Sequence, residues 1–145
     1  PKAKINLGLS VTGKRPDGFH NIETIFYPVS LCDALEFVSA GEGAQADVLA
    51  VTGIDTGTGP DDNLVMKAAR LLREGRSFPW LKIHLHKTIP AGAGLGGGSS
   101  DASCLLKSIN RHFGLGIGND ELRTMALSLG SDCPFFLECD KSHSL

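Results

Sequence analysis

No stretch of this sequence approaches the roughly 20 consecutive apolar residues needed to cross a bilayer, so no membrane partner is expected. A basic excess is also missing. Lys and Arg total 14 against 16 Asp and Glu, a net charge of −2, which speaks against a general nucleic-acid surface and leaves room only for a local basic pocket. Cysteine is scarce: Cys32, Cys104, Cys133 and Cys139 show no CxxC spacing. With no secretory segment ahead of them they read as reduced cytoplasmic thiols, not a disulfide framework. His84 and His86 share a strand face, but no third ligand stands at a sensible spacing, so an exposed face is expected there and no metal site. Internal repeats and low-complexity tracts are absent. What remains is 145 residues with 41% hydrophobic and 21% charged content, the profile of one globular domain.

The apolar periodicity sets out the elements. Lys4 to Val11 alternates, with Ile5, Leu7, Leu9 and Val11 on one side and Lys4, Asn6, Gly8 and Ser10 on the other, which predicts a strand buried on its apolar face. Further strands are expected at Ile22–Val29, antiparallel to the first, and at Ala34–Val38, Asp47–Val51 and Leu81–His86. A helix from about Asn63 to Arg73 is expected, capped by Asp61 or Asp62, with Leu64, Ala68, Leu71 and Leu72 as its stripe. A second is expected behind Ser99 or Ser100, running to Gly114, and a third capped by Asn119 and stopped by Gly130. Phe135–Leu137 reads as a last strand, after which the chain breaks off with no closing element. Strands first and helices after predict an α+β fold, a mainly antiparallel sheet with helices on one face.

The most informative segment is Pro90, Ala91, Gly92, Ala93, Gly94, Leu95, Gly96, Gly97, Gly98, Ser99 and Ser100. Glycines permit close approach to the backbone and open φ > 0, and the helix behind adds unpaired N–H groups and the positive end of its dipole. Such a loop suits a phosphate. A flexible Gly/Ser linker is the plain alternative, opposed by Pro90, Leu95 and the immediate helix start. Gly92-x-Gly94-x-x-Gly97 matches the dinucleotide fingerprint in letters, but the preceding strand alternates and the following helix leads to another helix. A P-loop would end in Gly-Lys-Ser or Gly-Lys-Thr, and Ser-Ser-Asp stands here. The catalytic motifs of protein kinases are missing.

The loop resembles the phosphate loop of the GHMP kinase superfamily, Pro-x-x-x-Gly-Leu-Gly-x-x-x-Ser before a helix. Ala3–Leu7, Gly13–His20, Thr24–Phe26, Asp62–Leu64, the loop itself and Leu129–Pro134 follow in order, and together they resemble the 4-diphosphocytidyl-2-C-methyl-D-erythritol kinase branch of that superfamily. The resemblance implies a ribosomal-protein-S5-domain-2-like fold. It also implies ATP-dependent phosphorylation of a tertiary hydroxyl on a cytidine-diphosphate-bearing small molecule in non-mevalonate isoprenoid synthesis. Residues 1–145 would be the N-terminal, ATP-binding domain; the second domain of the family, with its third glycine-rich motif, is not in this chain. Phe19 stands where tyrosine is usual.

The resemblance assigns roles that the residue types allow. Asp132 would accept the proton of the attacking hydroxyl, where an aspartate that merely bonds its own turn is the alternative. Lys4 would hold Asp132 ionised and balance charge on the transferring phosphoryl group, against an ordinary solvated lysine. Asn6 shares its face and would orient the hydroxyl or the carboxylate. Phe19 would stack on cytosine and His20 bond its polar edge, against core packing and a loop histidine. The loop from Pro90 to Ser100 would wrap the phosphates of ATP, with Ser99 or Ser100 reaching Mg²⁺. Asn63 and Lys87 match positions near the adenosine, against a helix-end residue and a surface charge. Asp101 is explained by the dipole of the helix it starts. Another GHMP small-molecule kinase, a non-catalytic nucleic-acid-binding module of the same fold and, more distantly, a nicotinamide-dependent oxidoreductase are the competing functions.

Overall fold

In a computed structural model, residues 1–14 and 20–139 are described, with His20 and Ile22 described by backbone alone. The first unit is a long antiparallel ribbon of β1 (Lys2–Lys14) and β2 (His20–Cys32), in which Asn6 faces Phe26 and Leu7 faces Ile25. The second is a three-stranded sheet of β3 (Ala34–Ser39), β4 (Val48–Gly53) and β5 (Leu81–Lys87), in the order β3-β5-β4. β3 runs antiparallel to β5, but β4 runs parallel to it. A parallel neighbour needs a crossover, and α1 (Leu64–Arg73) supplies it between β4 and β5. After β5 come α2 (Gly97–Phe113), α3 (Asn119–Leu129) and α4 (Cys133–Glu138).

The helices cover one face of the three-stranded sheet. Leu81, Ile83 and Leu85 of β5 and Leu49 of β4 meet Val65, Ala69 and Leu72 of α1 and Ala102, Leu105, Leu106 and Ile109 of α2. On the opposite face Glu36, Thr52, Lys82 and His86 are exposed, as alternation along a one-sided sheet requires. His84 and His86 lie there, both within hydrogen-bond reach of the Thr52 hydroxyl, at 2.9 and 3.0 Å. Among the described residues no group of three or more His, Cys, Asp or Glu is arranged to hold a metal, and no helix is long and apolar enough to cross a membrane. All four cysteines are free thiols. Leu105 is fully buried. Leu105→Ala is expected to cost about 2–5 kcal/mol of unfolding free energy, read as a lowered urea midpoint.

Several expectations need correction. Period 2 places the β1 side chains as expected, but the apolar face is not buried: Ile5, Leu7, Leu9 and Val11 are 37–59% exposed, and on the polar face Lys4 is buried, Asn6 half-buried and Gly8 and Ser10 exposed. Alternation defines two faces without saying which meets the protein. Phe135–Leu137 is helical. Pro134 sits in the first turn of α4, where its missing N–H costs nothing, and Phe136 and Leu137 turn onto the neighbouring helices. Asn63, not Asp61 or Asp62, caps α1, its Oδ1 accepting from the Val65 amide at 2.9 Å. α2 begins before the serines, with Gly96 in the cap position, and α3 is capped by Gly118 ahead of Asn119.

Candidate functional site

The glycine loop derives its shape from where it starts and stops. β5 ends at Lys87, and Ile89 anchors the exit from the strand in the interior. Gly92, Gly94 and Gly96 adopt φ of 70, 71 and 70°, a left-handed region that side chains disfavour. Because α2 opens at Gly97, the amides of residues 97–99 have no intrahelical acceptor, and no side chain caps them. A Cβ at Gly97 would sit 2.8 Å from Ile89 and 3.1 Å from the Lys87 Nζ. The bare backbone is thus what brings helix, strand end and lysine together. Opposite the loop lie Thr56, Thr58 and the start of α1, and the cleft between measures about 300 Å³, with Asn63, Leu64, Leu85, Lys87 and Asp101 in its walls.

Lys4 and Asp132 meet at the other side of the loop. The Lys4 amide donates to the Leu95 carbonyl at 2.9 Å, tying β1 to the loop. Its side chain passes beside Gly96, where a Cβ would come 3.3 Å from Lys4 Cε and 2.8 Å from the Phe136 ring. Lys4 Nζ donates to Asn6 Oδ1 at 2.6 Å and lies 3.5 Å from Asp132 Oδ2. The Phe26 ring centroid is 4.7 Å from Nζ, a cation–π contact in a nearly dry setting. Asp132 ends the turn before α4, which is held by the Cys133 amide on the Gly130 carbonyl and by the Ser103 hydroxyl on the Cys133 carbonyl. Its side chain is 31% exposed, so a substrate hydroxyl can reach it. Cys133 itself is buried, and burial pushes its thiol pKa up, which keeps it an inert packing group.

Lys87 is neither solvated nor at the surface. Its Nζ donates to Asp33 Oδ2 and, at 2.8 Å, to Asp101 Oδ2, all three groups being at most 4% exposed. Burial pulls the Lys87 pKa down, but the hydrogen bonds and charges of Asp101 and Asp33 outweigh it, and the ammonium is held above its usual range. Burial raises Asp33 in the same way, yet Lys87 and the amides of Ile89 and Thr88 overcome it, and Asp33 stays below the usual carboxylate range. Asp101 keeps the burial effect: its carboxyl is pushed up to about 6, with Lys87 opposing and Asp33 adding to the rise. Asp101 belongs to the second turn of α2, so the ion pair and not the helix dipole accounts for it.

The fold therefore brings Lys4, Asn6, Asp132 and the loop to one place, and sets Asn63 and Lys87 in the walls of the cleft on the loop's other side, with Lys87 Nζ beside Gly97. Ser99 is half-buried in the cleft wall; Ser100 is buried, its amide bonded to the Gly96 carbonyl at 2.9 Å. Phe19 and the His20 side chain lie outside the described residues. Asp33 and Phe136 went unassigned in the sequence: one acid between strands and one phenylalanine carry no spacing signal, and both matter only through distant partners.

Comparison with known proteins bears on the family and the fold. Residues 63–139 match the GHMP kinases N terminal domain. The chain is 53% identical over 137 residues to the 4-diphosphocytidyl-2-C-methyl-D-erythritol kinase of Bacteroides thetaiotaomicron, covering 94% of this chain and 50% of that protein. With the enzyme of the same name from Porphyromonas gingivalis the identity is 55%, with 49% of the relative covered. A crystal structure of 4-(cytidine 5'-diphospho)-2C-methyl-D-erythritol kinase superposes with a TM-score of 0.73 at 39% identity, over 94% of this chain and 47% of the other. Mevalonate pyrophosphate decarboxylase from Streptococcus pyogenes shares the fold, at a TM-score of 0.65 and 17% identity. The chain spans about half the length of these relatives. With its glycine loop, its helices and its sequence all matching that family, the chain belongs to the GHMP kinases.

Proposed function

We propose that this chain is the ATP-binding, N-terminal half of a cytoplasmic small-molecule kinase that phosphorylates the 2-hydroxyl of 4-diphosphocytidyl-2-C-methyl-D-erythritol, in non-mevalonate isoprenoid precursor synthesis. The observation that carries the reading is the approach of Lys4 and Asp132 to 3.5 Å beside Gly96, at the mouth of the amide-lined loop. The names of the relatives supply the substrate class.

The cleft fits a nucleotide. Its loop presents backbone in place of side chains, and its far end offers Asn63, Leu64 and Leu85 to a nucleoside. Mg²⁺ fits as an ion carried by phosphate oxygens and water, with Ser99 as a supplementary hydroxyl; no carboxylate cage for it exists among the described residues. When bound, MgATP supplies the γ-phosphoryl group and the metal spreads its charge. The chain's own residues do the remainder. The loop amides hold the phosphate chain, and Asp132 accepts the hydroxyl proton as oxygen attacks phosphorus. Lys4 offsets the charge that develops, while Asn6 fixes the ammonium. A second domain, of the kind the longer relatives have room for, would complete the substrate contacts.

Phe19 and His20 are proposed to take the cytosine. Phe19→Ala is expected to weaken binding of a cytidine nucleotide about tenfold, in line with the ~1–3 kcal/mol of a base stacked on an aromatic ring, and to leave ATP affinity unchanged. Isothermal titration with each nucleotide separates the possibilities. Absence of cytidine binding with ATP binding intact would favour a GHMP kinase for another substrate, and salt-dependent RNA binding without ATP binding would favour a nucleic-acid module.

A further inference from the structure

One aspartate holds the root of the β1–β2 ribbon to the exit of the three-stranded sheet. Asp33 is the single residue between Cys32, where β2 ends, and Ala34, where β3 begins. Its side chain is fully buried. Oδ1 accepts from the Thr88 and Ile89 amides at 2.6 and 2.9 Å, and Oδ2 accepts from Lys87 Nζ. The Thr88 hydroxyl donates to the Cys32 carbonyl, and the Asp33 amide donates to the Pro1 carbonyl at 3.0 Å. Thr88 and Ile89 lie just past the end of β5, on the way into the glycine loop. Backbone amides buried there need an acceptor, and one carboxylate oxygen satisfies both.

The ribbon carries Lys4 and Asn6, yet among the described residues it shares no strand pairing with the three-stranded sheet. Its placement against the loop therefore depends on other contacts. β1 rests on α2, and the Phe26 ring of β2 meets Phe135 of α4 at 5.1 Å. Polar contacts fix it at its root, through Asp33, and at Lys4. There the amide donates to the Leu95 carbonyl at 2.9 Å, and Nζ lies 3.5 Å from Asp132 Oδ2. Both ends of the segment 89–95 are thus tied to the ribbon. Lys2 pairs with Cys32, so the path from Asp33 through Cys32, Lys2, Lys4, Leu95 and Ile89 returns to Asp33 as a closed ring. Lys4 stands about 7 Å along β1 from Lys2, near enough to the root for a tilt there to move its ammonium.

We infer that Asp33 is a positioning residue for phosphoryl transfer, setting Lys4 against Asp132 and the loop by joining the ribbon's root to the strand exit at Thr88 and Ile89. The inference rests on the kinase reading and goes beyond it, since Asp33 does not line the cleft. It acts through the two amides. Lys87 has a second partner in Asp101, at 2.8 Å, so its ammonium is not left alone when Asp33 is neutralised.

The test is steady-state kinetics with ATP and 4-diphosphocytidyl-2-C-methyl-D-erythritol in a protein of the relatives' full length, with urea unfolding in parallel. Asp33→Ala removes the acceptor of all three donors. It is expected to lower kcat by about 10- to 100-fold, the weight of a displacement on the order of 1 Å at a reacting group. The KM for ATP should stay within a few-fold. Asp33→Asn keeps an oxygen for both amides and loses only the charge toward Lys87. It should hold kcat within about threefold of the parent, even where its urea midpoint falls. On a Lys4→Met background, Asp33→Ala should change kcat by less than about twofold, because the group it positions is gone. If Asp33→Ala does not fold, Thr88→Val replaces it in that cycle. Thr88 is partly exposed, and the change removes only the hydroxyl bond to the Cys32 carbonyl. A several-fold loss of kcat is expected with Lys4 present and none without it. Three results overturn the inference and leave the kinase reading standing: a kcat for Asp33→Asn as low as for Asp33→Ala, a loss carried by the ATP KM alone, or the same fractional loss with and without Lys4. A parent protein that transfers no phosphoryl group overturns the kinase reading itself, before any variant is compared.

Discussion

Asp132→Asn, placed in a protein of the relatives' full length, is expected to lower kcat by about 10²- to 10⁴-fold, the usual weight of a positioned general base. The KM for ATP should stay within a few-fold. Asparagine matches aspartate in size and still offers an oxygen toward Lys4, 3.5 Å away, so the turn at Gly130–Cys133 should be undisturbed. What it loses is the negative charge and basicity of the carboxylate that takes the proton. The loss should therefore fall on kcat, which distinguishes a role in the chemical step from one in uniform binding. A kcat within a factor of two of the parent would remove Asp132 from the mechanism and leave it a turn residue.

The second large effect is expected at Gly96. Its φ of 70° is strained for a β-branched residue, and a Cβ would fall 2.8 Å from the Phe136 ring and 3.3 Å from Lys4 Cε. Phe136 is 5% exposed and packed, so it has little room to give way. Gly96→Val should displace the loop, the start of α2 and the Lys4 side chain together, and weaken MgATP binding by about 100-fold or more, the ~3 kcal/mol of one left-handed strain plus a core overlap. Gly98→Ala is the internal control. A Cβ there meets only Leu64 at 3.6 Å, an ordinary contact, within a helical turn. Nucleotide affinity, measured by calorimetry, should survive that change within a few-fold. Equal losses at the two positions would mean that the loop responds to any added bulk, and the specific packing of Gly96 on Phe136 and Lys4 would not be the cause.

The two experiments also separate the two halves of the site. Gly96 tests whether the loop holds phosphate; Asp132 tests whether what lies beside it performs chemistry. A loop that binds ATP with a silent Asp132 would describe a nucleotide module whose reaction uses another acceptor.

Legibility differed by the range of the interaction. Helix α1 was readable because its stripe, its cap region and the glycine after it lie within one short window, though the capping residue itself was misjudged by one or two positions. The loop was readable because an excess of glycine before an amphipathic run has few other physical uses. α4 was misread because a three-residue apolar run suits a strand as well as a helix, and only its contact with α2 and α3 decides. Lys4 was singled out as a candidate through a motif, yet its burial was not foreseen, since an alternating strand looks the same whichever face turns inward. Asp33 was invisible: nothing near it in the chain announces a lysine 54 residues away.

The amino-acid sequence alone determined the local torsional features of this protein, namely which segments alternate, which wind, and where a backbone without side chains can curl around an anion. These follow from sterics and periodicity within a few neighbouring residues. Tertiary structure alone decided that Lys4 of β1 is buried while the apolar residues beside it stay exposed, that the turn after α3 presents its carboxylate to Lys4, and that two acids close around Lys87. Those outcomes depend on charges and surfaces brought together across long stretches of chain, where the cost of burying each group is settled only by the partner it finds.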